Sequence, residues 1–306
     1  MTTGSAAETR VDGVLTRRQW IGLRESHRDR VEALIGDYLR ERRSGSKHPV
    51  IDFLFTYYSS RPAHVQRWHP GYGVVLGDAD EYLPLRGYRR VAGGVSVDPD
   101  HLRARTGTLA ATEALLRATA SRPARLGCFG LHEWAMVYRT DDLRHDLPLR
   151  LGAAGTDAVV DEMPLRCTHF DAFRFFTPLA RPYNEAKLTR DHQLADEQPG
   201  CLHATMDLYR ACFTLAPLID SDLTLDCFAL ALRARELDMR ASPYDLSELG
   251  YDPVPIETPA GRAQYVREQS EIATAGEILR AAVAERCRHL LGQTGRDPRE
   301  APITGE

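Results

Sequence analysis

Lysine is nearly missing from this chain. Of 39 basic residues only Lys47 and Lys187 are lysines. Chemistry that needs a side-chain amine for a Schiff base has two candidates at most. Long apolar runs are missing too. The longest stretches, such as Cys227 to Leu232, fall far below the roughly 18 residues of a membrane-spanning helix, so no membrane partner is expected. No two of the six cysteines are spaced as CxxC, which argues for unpaired, mostly buried thiols in a reducing compartment. The first ten residues, MTTGSAAETR, hold no apolar core behind their charge. The reading is a cytoplasmic chain without a secretory leader. There is no GxGxxG, no Walker A loop, no GxSxG elbow, no EF-hand and no zinc-deaminase signature. Excess positive charge is also lacking: the net charge is −4, which gives nucleic-acid binding no support from the sum alone.

What is present is a globular composition, 43% apolar and 27% charged over 306 residues, which excludes wholesale disorder. Periodicity predicts a helix after Thr16, where Trp20, Leu23, His27, Val31, Leu34 and Tyr38 recur at steps of three and four. Arg40, Arg42 and Arg43 suit its C-terminus. Residues 50 to 100 are dense in aromatics, glycine and proline and read as short strands and ordered loops. A helix is expected from about Asp100 to Ala120, a helical turn from Thr156 to Glu162, and a strand from Leu165 to Phe176. The last 120 residues read as helices: one after Pro199-Gly200, one from about Ser221 to Met239, and a long one from about Gly261 to Leu291. The expected fold is mainly α with a minor β component, a single compact domain over 13–291 with a helical C-terminal half. Residues 1–12 read as a disordered tail and 292–306 as a polar tail.

Four constellations could carry chemistry. In Cys128-Phe129-Gly130-Leu131-His132-Glu133-Trp134, a helix would put Cys128 and His132 on one face. Glu133 beside the Trp134 indole resembles an acid or base tuned by an apolar neighbour. The second zincin histidine is missing, since position 136 is Met. A plain alternative is a buried His-Glu pair serving backbone groups. In Cys167 to Phe176, a strand would put His169 and Asp171 on one side, able to hold a metal. Arg174 among aromatics could anchor an anion or merely stack on Phe rings. In Glu197 to Asp207, His203, Asp207 and Arg210 share a helix face, as surface ion pairs also do. Tyr57, Trp68 and the arginines Arg61, Arg67, Arg89 and Arg90 could stack bases and contact phosphates, or pack a loop-rich lobe. From residue 54 to 92, five arginines face three acids, a weak excess.

The stretches RWHPGYGVVL, CFGLHEWAMVYR, THFDAFRFFTP, EQPGCLHATMDLYR, ELDMRASPYDL and PVPIETPAGRAQY resemble a family of actinobacterial proteins labelled 3-methyladenine DNA glycosylase, over roughly residues 15 to 290. The chain lacks the L-P-G-[VI]-G-like turn of the helix-hairpin-helix glycosylases, so no catalytic residue carries over from them. The resemblance implies a hydrolase of DNA repair that cleaves an N-glycosidic bond. Such an enzyme holds an extruded base between aromatics and stabilises an oxocarbenium-like centre with a carboxylate. Glu133, Asp207, His132, His169 and His203 are the expected catalytic residues; Tyr57, Trp68, Trp134 and Arg174 are expected to bind substrate. DNA would be the partner and no cofactor would be needed. Two other readings stand beside it. One is a metal-dependent enzyme on a small-molecule substrate, with a divalent ion on His132, His169, His203, Asp171 and Glu197, or with Asp207 or Asp238. The other is a non-catalytic protein binding an anion or a partner near Arg174.

Overall fold

The computed structural model describes residues 13–295. Its frame is helical. Helix α1 (Arg17–Arg43) starts at Thr16, whose backbone N–H is met by the Gln19 side chain at 2.9 Å. Its inner face is Trp20, His27, Val31, Ile35 and Tyr38. Leu23 and Leu34 of the expected stripe are exposed instead, off the face set by Trp20, His27 and Val31, and the backbone leaves helical geometry at Ile35. Trp20 is fully buried and donates its Nε1 hydrogen to the Gly77 carbonyl at 2.8 Å, tying α1 to the sheet.

That sheet has four short strands: β1 (Gly13–Leu15), β2 (Val74–Leu76), β3 (Tyr88–Val91) and β4 (Gly94–Val97), in the order β1-β2-β4-β3. The β1–β2 pair is parallel and the others antiparallel. The β3–β4 hairpin turns on Ala92 and Gly93. Gly94 has φ +148° and lies so close to the Leu76 carbonyl that a Cβ would clash with it. The aromatic-rich segment also contains helices α2 (Ile51–Thr56) and α3 (Pro62–Gln66), so it is not made of strands and loops alone. The expected helix at 100–120 divides into α4 (Pro99–Ala104) and α5 (Thr106–Ala120).

Short elements follow: α6 (Leu131–Ala135), α7 (Gly152–Glu162), α8 (Phe170–Phe173) and α9 (Gln193–Asp196). The expected turn at 156–162 is thus the end of a longer helix. The expected strand at 165–176 is not formed. Leu165 makes only an isolated bridge to Asn184, and the Asn184 side chain takes both the N–H and the carbonyl of Cys167, which ends any ladder. Beyond it the chain turns helical, with Phe173 N–H bonded to the His169 carbonyl.

The C-terminal half is α10 (Leu202–Thr214), α11 (Ser221–Arg240) and α12 (Pro259–Gln293). Asp220 and Thr258 cap the last two by accepting from Leu223 N–H and Gly261 N–H at 3.0 Å. α12 continues to Gln293, two residues into the expected polar tail. The tails 1–12 and 296–306 lie outside the described residues. One apolar cluster runs from Leu15 to Leu290, joining sheet and helices. Among the described residues, no helix is long and apolar enough to cross a membrane.

Candidate functional site

The site is built where α6, α10 and α11 meet under the 165–200 segment. Phe129 and Gly130 both have positive φ, 51° and 71°, and this sharp entry turns α6 inward. A Cβ on Gly130 would stand 3.3 Å from that of Ala241. His132 and Glu133 are thereby buried. On α10, His203 and Asp207 lie one turn apart on a face turned inward, not outward as a surface ion pair would be. On α11, Arg235 and Asp238 sit three apart inside an apolar helix, both fully buried.

Two groups of potential ligands result. In the first, His132, His203 and Asp238 each offer an atom within 4.8 Å of the others. His132 Nε2 lies 2.8 Å from Asp238 Oδ1, a buried ion pair in which neither atom makes a well-aligned hydrogen bond. His203 Nδ1 is likewise unpartnered. The other ring nitrogen of His132 faces Cys128 Sγ at 3.7 Å. In the second group, His169 Nε2 lies 3.3 Å from Asp207 Oδ2 and 3.6 Å from Glu197 Oε2. The groups adjoin: the His132 and His203 rings meet edge to face at 4.6 Å, and His203 stacks on His169 at 5.3 Å.

Electrostatics divide the histidines. Burial opposes a charge on His132, but the Asp238 carboxylate overcomes it and holds the imidazolium well above its usual range. The same contact holds Asp238 low against its burial. His203, buried beside His132 and without a close carboxylate bond, is pushed well down and stays neutral. His169 is raised by Asp207 against burial, and burial raises Glu197.

A cleft of about 1480 Å³ lies nearby; Glu133 and Arg235 line it, whereas His132, His203 and Asp238 lie behind them and do not. Arg42, Arg144, Arg174, Arg181, Arg235 and Lys47 line it, with Phe53, Tyr57 and Phe175 as aromatic walls. Arg174 and Arg144 lie over the Phe175 ring at 4.3 and 4.4 Å. Arg235 connects cleft to interior. Its NH1 donates to Glu133 Oε1 at 2.6 Å and to Asp238 Oδ2 at 2.8 Å, and its guanidinium lies over Phe53.

The sequence-predicted residues are therefore partly brought together. His132, His203, His169, Asp207 and Glu197 converge; Tyr57, Arg174 and Glu133 line the cleft. Asp171 is not a ligand. Its carboxylate is taken by Arg174 at 3.1 Å, by Arg210 at 3.3 Å and by Arg190, which hold it low against its burial. Asp171 sits in the first turn of the short helix α8, which His169 precedes, so the expected shared strand face does not exist. Glu133 is bound to Arg235 and does not stand free against an indole. Trp68 is buried in the apolar core, where Tyr82 donates to its carbonyl at 3.3 Å, and Trp134 is fully buried with its Nε1 hydrogen on the Ala241 carbonyl. Neither lines the cleft. Arg89 and Arg90 pair with Asp98 and Asp80.

Sequence reasoning missed Arg235, Tyr58 and Arg280. An arginine three residues before an aspartate within the apolar stripe of Leu230, Ala234 and Leu237 was the available signal for the first. Tyr58 donates its hydroxyl to Asp207 Oδ1 at 2.8 Å. Arg280 is buried on α12 with none of its guanidinium nitrogens hydrogen-bonded. Compared with known protein families, with curated proteins and with solved structures, the chain matches none, so its chemistry rests on this geometry.

Proposed function

We propose that the protein is a metal-dependent enzyme acting on a small anionic molecule held in the arginine-lined cleft. The observation that carries this reading is the contact of His132 Nε2 with Asp238 Oδ1. His132 Nε2 and Asp238 Oδ1 form a buried ion pair at 2.8 Å without a well-aligned hydrogen bond, and a cation in place of the histidine proton would satisfy both atoms. An octahedral ion with bonds of about 2.1 Å sets adjacent donors about 3 Å apart. His203 adds a neutral imidazole to the set. Held by these residues, such an ion would supply Lewis-acid chemistry. Arg235 orients Asp238 from behind and fixes Glu133 at the cleft wall. Arg144 and Arg181, which meet no carboxylate among the described residues, supply the anion's counter-charge.

The test is metal content by mass spectrometry after purification and dialysis, together with competition by inorganic phosphate for the cleft. The reading expects a retained divalent ion that Asp238→Asn loses while circular dichroism stays native. It also expects phosphate binding weakened in Arg144→Ala. A metal-free protein that takes up no Zn²⁺ or Mn²⁺ defeats it.

Base excision from DNA remains as a second reading, favoured by one observation. Phe53 and Tyr57 stack at 4.8 Å on the wall of the cleft of about 1480 Å³, an aromatic surface on which an extruded base could stack. Release of 3-methyladenine from alkylated duplex DNA, with and without chelator, separates the two. Release that survives chelator favours excision driven by a carboxylate. Without release and without salt-dependent DNA binding, this second reading fails.

A further inference from the structure

The geometry points to a dinuclear centre: His169, Glu197 and Asp207 form a second cation site beside the His132, His203 and Asp238 site. This inference rests on the metal-dependent reading above and extends it from one ion to two. Three observations carry it.

The first is spacing. A tetrahedral ion with bonds of about 2.1 Å sets its donors about 3.4 Å apart. The His169 nitrogen stands 3.3 and 3.6 Å from the two carboxylate oxygens, near that value on both sides. A simple ion pair would bring the imidazole to one oxygen at about 2.8 Å. Here the hydrogen bond to Asp207 Oδ2 is long, at 3.3 Å, and Glu197 Oε2 stands beyond hydrogen-bond distance at 3.6 Å.

The second is the outer layer. Each carboxylate is oriented through an oxygen by a group from another element or turn. Tyr58 holds Asp207 Oδ1 at 2.8 Å, leaving Oδ2 turned to His169. Gln193 Nε2 donates to Glu197 Oε2 at 3.0 Å, and Thr119 Oγ1 lies 3.4 Å from Oε1. Metal-binding carboxylates are positioned in this way. Arg280, which raises the positive field near Glu197, makes no hydrogen bond to it, so among the described residues Glu197 has no direct cationic partner except His169.

The third is adjacency and burial. His169 is fully buried and its Nδ1 has no partner. Its ring stacks on that of His203 at 5.3 Å, so the two groups of donors adjoin. Glu197 is buried and Asp207 partly so, with Arg210 3.8 Å from Asp207 Oδ2; a divalent ion in place of the His169 proton would sit between the two carboxylates.

The experiment is a count of ions. The full chain is stripped with chelator, reloaded with Zn²⁺ alone, desalted and analysed by mass spectrometry, with circular dichroism as a check on folding. Two Zn²⁺ per chain are expected. Glu197→Gln should retain one, and so should Asp238→Asn; Tyr58→Phe should keep both but weaken one about 10- to 100-fold. If Glu197→Gln does not fold, Asp207→Asn serves the same purpose. One Zn²⁺ per chain, lost in Asp238→Asn but kept in Glu197→Gln, overturns the second site and leaves the first. No Zn²⁺ in a folded wild-type chain overturns both.

Discussion

The molecule has two histidine-rich regions, and they behave in opposite ways. Behind the arginine-lined cleft, His132, His169 and His203 alternate with Asp238, Glu197 and Asp207. Between α1, α3 and α10, a second cavity of about 380 Å³ is lined by His27, His64, His69 and His101 with Arg67, Arg86 and Arg105, and by no carboxylate among the described residues. There burial and the neighbouring arginines push every imidazole down, His69 to about 4. These rings serve as neutral hydrogen-bonding groups: His27 Nε2 meets the Val65 carbonyl and His69 Nδ1 meets the Tyr88 hydroxyl, both at 2.8 Å. A cluster of imidazoles is therefore not in itself a site. What distinguishes the first region is oxygen donors whose charge a cation can balance.

The comparison breaks most sharply at Arg235. Arg235→Met leaves Glu133 and Asp238 buried without their guanidinium. It should cost about 3–5 kcal/mol, read as a lower urea midpoint. Bound metal should recover part of that loss, since an ion replaces the missing charge. Arg67→Met in the second cavity, where arginine has no buried carboxylate to satisfy, should change the midpoint little. Trp68→Ala should also cost about 3–5 kcal/mol through a core cavity, with no effect on metal content. A loss of DNA affinity without loss of stability would contradict the buried position of Trp68.

The second cavity predicts a pH effect of its own. A folded-state value for His69 of about 4 lies below the ordinary 6.5, so the unfolded chain takes up the proton first. The stability this residue contributes is complete above about 6.5 and declines as pH falls toward 4, by roughly 2–3 kcal/mol. His69→Phe keeps the ring against Tyr88, stacked at 5.9 Å in the native protein, and should flatten that part of the stability profile. A slope unchanged by the substitution would place the titration elsewhere. The smallest effect is at Tyr58. Tyr58→Phe loses one hydrogen bond to Asp207, about 1 kcal/mol of stability measured by thermal melting.

Much of the architecture was legible in the sequence because helix periodicity is local. The stripes at 17–43, 202–214, 221–240 and 259–293 needed no tertiary information. The strand expected at 165–176 failed for a tertiary reason: Asn184, distant in sequence, occupies the Cys167 backbone that a neighbouring strand would have used. The candidate site was legible as a set of residue types but not as a set of partners. His169 was paired with Asp171 by adjacency, whereas three arginines claim Asp171 and His169 turns to Glu197 and Asp207, 28 and 38 residues on. Asp238 was one of several oxygen donors in the sequence, and its pairing with His132 emerged only once α11 was known to bury it.

The central claim is that His132, His203 and Asp238 enclose a cation. Anomalous scattering from crystals of the Zn²⁺-loaded protein tests it directly. The account predicts a difference peak at about 2.1 Å from both His132 Nε2 and Asp238 Oδ1. A map without a peak there, with His132 turned to donate a straight hydrogen bond to Asp238, would contradict it.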